Sequence, residues 1–223
     1  RADVAINARA EDAMARLLET LTPSSSLWQA SDVAHQRDVW RAETEVERPG
    51  IIAIVEALRA VVPENAMIYS DMTQFAYVAN EVWPMTWPKH WHHPSGFGTL
   101  GYALPAAIGG ATARPSHPTM AIAGDYGFQY SVQELGAAVE LGQALPIILW
   151  DNGKLKEIED SMRSAQIAPN AVIAKNPDFM SLAKAYGANA VAPATFAELR
   201  QAVTEAFAAD GPTVIYLTPE IRA

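Results

Sequence analysis

The chain has 223 residues, half of them apolar, a formal net charge of −9 and no cysteine. That length supports one substantial core with an appendage. The composition excludes disulfide scaffolds and thiol chemistry, argues against nucleic acid as main partner, and holds no apolar run long enough to span a membrane. A cytoplasmic protein without a signal peptide is the expectation. Because the first residue is Arg1 rather than Met, a piece of a longer protein is expected.

In chain order, Val4 to Leu21 predicts an amphipathic helix, with apolar Ile6, Ala10, Ala13, Met14, Leu17, Leu18 and Leu21 on one stripe. Thr22-Pro23-Ser24-Ser25-Ser26 breaks it. Leu27 to Glu47 is polar and helix-like, and reads as a linker or connecting helix. The expected division is therefore 1–22, a linker 23–47, and a main domain 48–223. The main domain opens with Pro49 suited to a first helical turn and a helix from Ile51 to Val62. A strand Ala66–Ser70, a loop Asp71-Met72-Thr73-Gln74 and a helix Phe75–Val82 follow. Glu81 to Pro94 packs Trp83, Trp87 and Trp91 with His90, His92 and His93 between prolines. Three histidines suggest zinc, but no cysteine or carboxylate pattern accompanies them. A rigid aromatic loop at a site mouth, or a subunit contact, is the favoured reading. Ser95–Gly101 is Gly-rich and Leu104–Ala113 reads as a helix.

Two short apolar runs, Thr119–Ala123 and Pro146–Trp150, lack alternation and read as buried parallel strands. Each runs into a polar stretch: Gly124-Asp125-Tyr126-Gly127-Phe128-Gln129 and Asp151-Asn152-Gly153-Lys154. Val132 to Leu141 reads as the intervening helix. This strand–loop–helix–strand unit places Asp125 and Asn152 at the carboxyl end of one sheet, where open α/β sheets bind ligands. A carboxylate, an amide oxygen and close-approach glycines before a helix suit Mg²⁺ bridging to a diphosphate. The tail predicts helices Phe179–Tyr186 and Phe196–Ala208, a short strand at Ala190-Val191 and a last strand Thr213–Leu217, with Gly187 as a helix C-cap. The fold class is α/β: a doubly wound parallel sheet with helices on both faces.

Gly124-Asp125 followed 27 residues later by Asn152 resembles the thiamin-diphosphate signature. Phe128-Gln129, Gln133-Glu134-Leu135 and the segment Gly96–Gly109 resemble the acetolactate synthase-like branch of those enzymes. Tyr126 departs from the usual glycine, and Asp151 from the usual first asparagine. The resemblance covers residues 48–217. It implies thiamin diphosphate and Mg²⁺ as cofactors, with Asp125, Asn152 and the Lys154 carbonyl as metal ligands. It implies cofactor contacts from Thr73, Gln74, Gly98, Leu100, Gly124, Tyr126, Gly127 and Leu155. Leu100 would prop the cofactor into its bent form. Thr73 is equally a helix N-cap. Arg1–Leu21 resembles the last helix of a preceding central domain.

The implied activity is that of a lyase or transferase acting on a small-molecule 2-oxo acid, with the thiazolium as electron sink. No catalytic residue is expected within the chain. The activating glutamate of such enzymes sits on a pyrimidine-binding domain of another subunit, in a homodimer or homotetramer. The chain alone is therefore expected to bind cofactor weakly and turn nothing over. Glu157, Ile158 and Glu159 face the substrate in this reading. Their acidity, with Tyr126 and Asp151, leans toward decarboxylation of 5-guanidino-2-oxopentanoate (2-ketoarginine) rather than acetolactate synthesis from pyruvate. A solvated acidic face is the plainer account of Glu157, Glu159 and Asp160. A non-catalytic nucleotide- or metal-binding regulatory domain is a further alternative, as is a structural assembly domain.

Overall fold

The computed structural model describes residues 2–22, 28–173 and 175–223. The expected breaker at 23–26 lies outside the described residues. The chain forms two compact units, one running to Trp40 and the other from Arg41 to Ala223.

In the first unit, α1 spans Ala10–Thr20 and buries none of its residues. It is shorter than the apolar stripe predicts, because the helix starts only where Glu11 and Asp12 can favour its amino end. Ile6, Met14, Leu18 and Leu21 are exposed. The next helix, α2, spans Ala30–Glu47, so the polar connecting segment is helical along most of its length.

The second unit is built on a six-stranded sheet among the described residues, in the order β2-β1-β3-β4-β6-β5. The strands are β1 (Met67–Ser70), β2 (Trp91–His92), β3 (Thr119–Gly124), β4 (Leu145–Trp150), β5 (Asn189–Val191) and β6 (Pro212–Leu217). Every pairing is parallel. Every residue of β1, β3 and β4 is buried, and this is why their sequences run apolar without alternation.

Alternate residues of each strand feed two cores. On one face Ile68, Ile122, Ile148, Trp150 and Ile215 pack against helices α3 (Ile51–Arg59), α4 (Gln74–Val82) and α10 (Phe196–Ala206). On the other, Tyr69, Ala123, Ile147, Leu149 and Val214 meet α5 (Ala103–Ala113), α6 (Asp125–Ser131), α7 (Glu134–Leu141) and α9 (Phe179–Ala185). The remaining helix, α8, spans Lys156–Ser164. The sheet is thus doubly wound, as its alternating elements predict. Each large side chain removed from water in these cores contributes about 1.5–3 kcal/mol before entropy is counted.

The chain moves from β1 outward to β2 and then returns to the other side of β1 to lay down β3. That reversal makes the crevice at the ends of β1 and β3 a topological switch point, the usual ligand position in such sheets.

Several expectations are corrected locally. Helix α3 begins after Gly50, whose φ of +81° no proline could supply, so Pro49 lies outside its first turn. The stretch from Asp125 is helical at once, and the single helix expected over 132–141 is the separate α7. Within the Trp/His-rich segment, Trp91-His92 forms the edge strand β2, with His92 stacked on Tyr69 at 4.6 Å and Trp91 against Trp83 at 5.6 Å. Among the described residues no three His, Asp or Glu converge as a metal group, and zinc is set aside. The C-cap expectation holds, since Gly187 follows α9 with φ +88°.

Candidate functional site

Three strand ends deliver polar residues to one place. Beyond β1, the Asp71 N–H continues the ladder to the Ile122 carbonyl at 2.8 Å. Its buried carboxylate then accepts from the N–H groups of Gly101 (3.0 Å) and Tyr102 (2.9 Å). Asp71 therefore ties the Gly-rich loop to the end of β1. Burial pushes its carboxyl up from the usual range, and the backbone N–H groups of Tyr102, Gly101 and Ala103 oppose that rise.

Beyond β3, Gly124 lies against Thr73. A Cβ on Gly124 would come within 2.8 Å of Thr73 Oγ1, and one on Gly127 within 2.2 Å of Asp71 Oδ2. These two positions need glycine because the β1 and β3 loops are packed face to face. Thr73 occupies the N-cap position of α4, but its side chain makes no capping bond.

Beyond β4, the Asp151 N–H bonds the Leu217 carbonyl at 2.8 Å. Asp151 then folds the chain back by accepting from the Gly153 N–H at 2.8 Å, with Gly153 at φ +68°. Asn152 Nδ2 donates to Gln74 Oε1 at 3.2 Å, and Asn152 Oδ1 accepts from the Lys154 N–H at 3.3 Å. The first bond fixes which way the Asn152 amide faces.

These loops enclose a cavity of about 280 Å³. It is lined by every residue expected to touch cofactor or metal: Thr73, Gln74, Gly98, Leu100, Gly124, Asp125, Tyr126, Gly127, Asn152, Lys154 and Leu155. Glu157 and Ile158 also line it. Glu159 does not. Its carboxylate accepts from Lys154 Nζ at 3.0 Å and Arg163 Nη2 at 2.7 Å, which hold it below the usual carboxylate range. Both its oxygens are thus engaged by this chain's own cations. Asp160 pairs likewise with Lys156.

Sequence reasoning missed four participants. Met72 and Tyr77 are part of the cavity wall. Arg48, 109 residues before Glu157, reaches it side-on, with Nε–Oε1 at 3.2 Å and Nη2–Oε2 at 3.4 Å. Arg48 also meets Glu47 at 3.0 Å and Glu81 at 3.9 Å, and lies over the Tyr77 ring. One guanidinium against three carboxylates leaves this hub net negative. The fourth is Asn176, whose Nδ2 donates to Asp125 Oδ2 at 2.7 Å. No local pattern marks a lone asparagine in a loop; only the fold brings it here.

Asp125 is 4% exposed. Burial pushes its carboxyl up to about 6, against the bonds from Asn176 and the Tyr126 N–H, and the nearby Asp151 charge adds to the rise. Asp125 shares the cavity wall with Asn152 and Lys154, whose side-chain amide and backbone carbonyl are hard oxygen donors of the type a divalent cation takes.

Residues 71–217 match the family described as thiamine pyrophosphate enzyme, C-terminal TPP binding domain. The chain is 40% identical over 166 residues to a probable 2-ketoarginine decarboxylase AruI of Pseudomonas aeruginosa, covering 74% of this chain and 30% of the relative. It is 32% identical to the acetolactate synthase large subunit of Haemophilus influenzae, covering 85% and 34%. Among solved structures, a thiamine diphosphate-dependent 4-hydroxybenzoylformate decarboxylase of Rhodococcus jostii RHA1 aligns with TM-score 0.70 and 25% identity, over 75% of this chain and 32% of that one. Benzoylformate decarboxylase from Polynucleobacter necessarius shares the fold at TM-score 0.69 and 24% identity, over 74% and 32%. The chain spans about a third of the length of these relatives. It belongs to the thiamine pyrophosphate enzyme family and carries that family's C-terminal TPP-binding domain.

Proposed function

We propose that this chain is the diphosphate- and Mg²⁺-binding part of a thiamin-diphosphate-dependent 2-oxo acid decarboxylase, with 5-guanidino-2-oxopentanoate as substrate. The residues present fit the cofactor. Asp125, Asn152 and Lys154 line the glycine-bearing cavity together, and each offers an oxygen. They would hold Mg²⁺, with Thr73, Gln74, Tyr126 and Leu155 around the diphosphate and Gly98 and Leu100 beside the ring system. When bound, the cofactor supplies the electron sink for loss of CO₂. The chain's own part is to bind, orient and neutralise charge. Residues 1–22 would close a preceding central domain and 23–47 would link it to this one. A pyrimidine-binding domain of another subunit would complete the site in a cytoplasmic homodimer or homotetramer.

The observation that carries the substrate is Glu157. It stands in the cavity wall inside a hub where Arg48 faces three carboxylates. A guanidinium tail arriving there meets a carboxylate already held in place by Arg48, with Glu47 and Glu81 on the same guanidinium and Lys154 and Lys156 elsewhere in the cavity wall. Charge-assisted pairing of that kind gives both affinity and orientation. The likeness to the P. aeruginosa decarboxylase supports the same reading. Acetolactate synthesis from pyruvate is the second reading, favoured by the broader coverage of the H. influenzae relative.

The test is CO₂ release by the full-length protein, with thiamin diphosphate and Mg²⁺, from 2-ketoarginine and from pyruvate. Release from 2-ketoarginine, falling about 10–100-fold in kcat/KM with Glu157→Gln while any turnover of pyruvate persists, supports the proposal. Acetolactate formed from pyruvate, with no turnover of 2-ketoarginine, overturns it and returns Glu157 to a structural ion pair.

A further inference from the structure

Behind Asp125 the described residues form a closed polar bracket. Asn176 Nδ2 donates to Asp125 Oδ2 at 2.7 Å and to Asp151 Oδ1 at 2.8 Å. Asn176 Oδ1 accepts from Gln129 Nε2 at 3.1 Å, and Gln129 Nε2 also reaches the Asp125 carbonyl at 3.1 Å. Asp151 Oδ1 accepts the Gly153 N–H at 2.8 Å, and Asp151 Oδ2 accepts the Tyr216 hydroxyl at 2.8 Å. Asp151 thus receives three donors and gives none.

That donor count explains an unusual residue. The motif that Asp151 interrupts normally has asparagine there. An asparagine at 151 could accept from Asn176 and Gly153 through its oxygen only by turning its NH₂ to the Tyr216 hydroxyl, which would then accept rather than donate. A carboxylate satisfies all three donors at once. It also holds Asn176 with its NH₂ turned toward Asp125, because Gln129 occupies the other end of that amide.

We infer that Asp151, Asn176 and Tyr216 are positioning residues that lock Asp125, committing its Oδ2 to Asn176 and reserving Oδ1 for the divalent cation. This rests on the reading of Asp125 as a metal ligand. Partners of metal ligands that fix orientation typically govern affinity 10–100-fold. Asp151 touches neither cation nor substrate in this arrangement; it acts through Asn176 and through its own charge and contact beside Asp125.

The experiment is Mn²⁺ binding to the full-length protein in the presence of thiamin diphosphate, read by electron paramagnetic resonance of free Mn²⁺, so that turnover plays no part. Asn176→Ala is expected to weaken Mn²⁺ about 10–100-fold. Asp151→Asn is expected to weaken it less. Adding Asp151→Asn to Asn176→Ala is expected to cost clearly less than Asp151→Asn does alone, since the bracket is already broken and only the direct effect of Asp151 on Asp125 is left to lose. Tyr216→Phe removes one donor at the far end without changing shape, and is expected to weaken Mn²⁺ by a few-fold. If Asn176→Ala fails to fold, Asp151→Asn and Tyr216→Phe carry the test. Folded variants that bind Mn²⁺ as the wild type does overturn the inference. Independent, additive losses from Asp151→Asn and Asn176→Ala overturn the coupling between them. A wild-type protein that binds no Mn²⁺ fails the metal-site reading itself, a separate result.

Discussion

At the scale of single residues, the site is held by steric necessity as much as by charge. Gly127 is fixed by Asp71, whose Oδ2 would stand 2.2 Å from an added Cβ. Asp71 cannot retreat, because it is buried and bonded to two backbone N–H groups. Gly127→Ala should therefore destabilise the fold by about 1–3 kcal/mol through overpacking, and displace the Gly98–Tyr102 loop. Gly153 makes a contrast. Nothing lies within 4 Å of a Cβ there, and only its φ of +68° disfavours a side chain. Gly153→Ala should cost about 1 kcal/mol and leave the loops in place. Denaturant unfolding of the two variants checks the order; a Gly153→Ala cost exceeding that of Gly127→Ala would reverse the argument. Most residues that line the cavity, Met72 and Tyr77 excepted, were legible in the sequence because they sit in motifs at strand ends or in the Gly-rich loop. Asn176 and Arg48 were not. Each lies far along the chain from its partner, and long-range side-chain pairing leaves no local periodicity to read.

At the scale of elements, apolar runs without alternation identified β3, β4 and β6, because strands covered on both faces need apolar residues throughout. The two-residue β2 escaped, being too short for any pattern and composed of Trp and His. Helix α6 also escaped, since the glycines of residues 124–129 read as a loop. What β2 lacks in apolar length it makes up in ring contacts, and those carry a pH dependence. Burial holds the imidazoles of His92 and His93 below their ordinary value of 6.5. His92 lies against Tyr69, near His90 and the Arg114 charge; His93 Nδ1 meets Ser70 Oγ at 2.9 Å and its ring edge meets Tyr77. The unfolded chain takes up protons at these histidines near pH 6.5, before the folded one does. The contribution of these two histidines to stability is therefore expected to fall as pH falls below that value, while Asp125, pushed up to about 6, takes up its proton in the folded chain and works in the opposite direction. His92→Phe keeps a ring on Tyr69 and removes one titrating group. Its melting temperature should drop less than that of the wild type between pH 8 and pH 5.5; an equal drop would place the acid sensitivity elsewhere.

At the scale of the molecule, the cavity sets what the chain can do by itself. Its volume of about 280 Å³ falls at the small end of ligand pockets, which run from about 300 to 1,000 Å³ when they enclose most of a drug-sized ligand. Its walls come from one edge of one sheet. They offer oxygen donors and a glycine cradle suited to a diphosphate and its metal, and less to the rest of a long cofactor. Phe97, beside the cavity residue Gly98, is 94% exposed, an apolar surface suited to cover by another domain. From this we predict that the isolated 223-residue chain, given thiamin diphosphate and Mg²⁺ at millimolar concentration, gains only about 0.4–1 kcal/mol of stability, the linkage expected for a dissociation constant near that concentration. ATP or NAD should give no shift. No CO₂ should be released from 2-ketoarginine, because the acid that activates the cofactor is expected on a partner domain. Turnover by the isolated chain, free of longer protein, would mean that the catalytic acid lies within these residues. Glu157, the cavity carboxylate not already committed to the metal site, would then be the first group to replace.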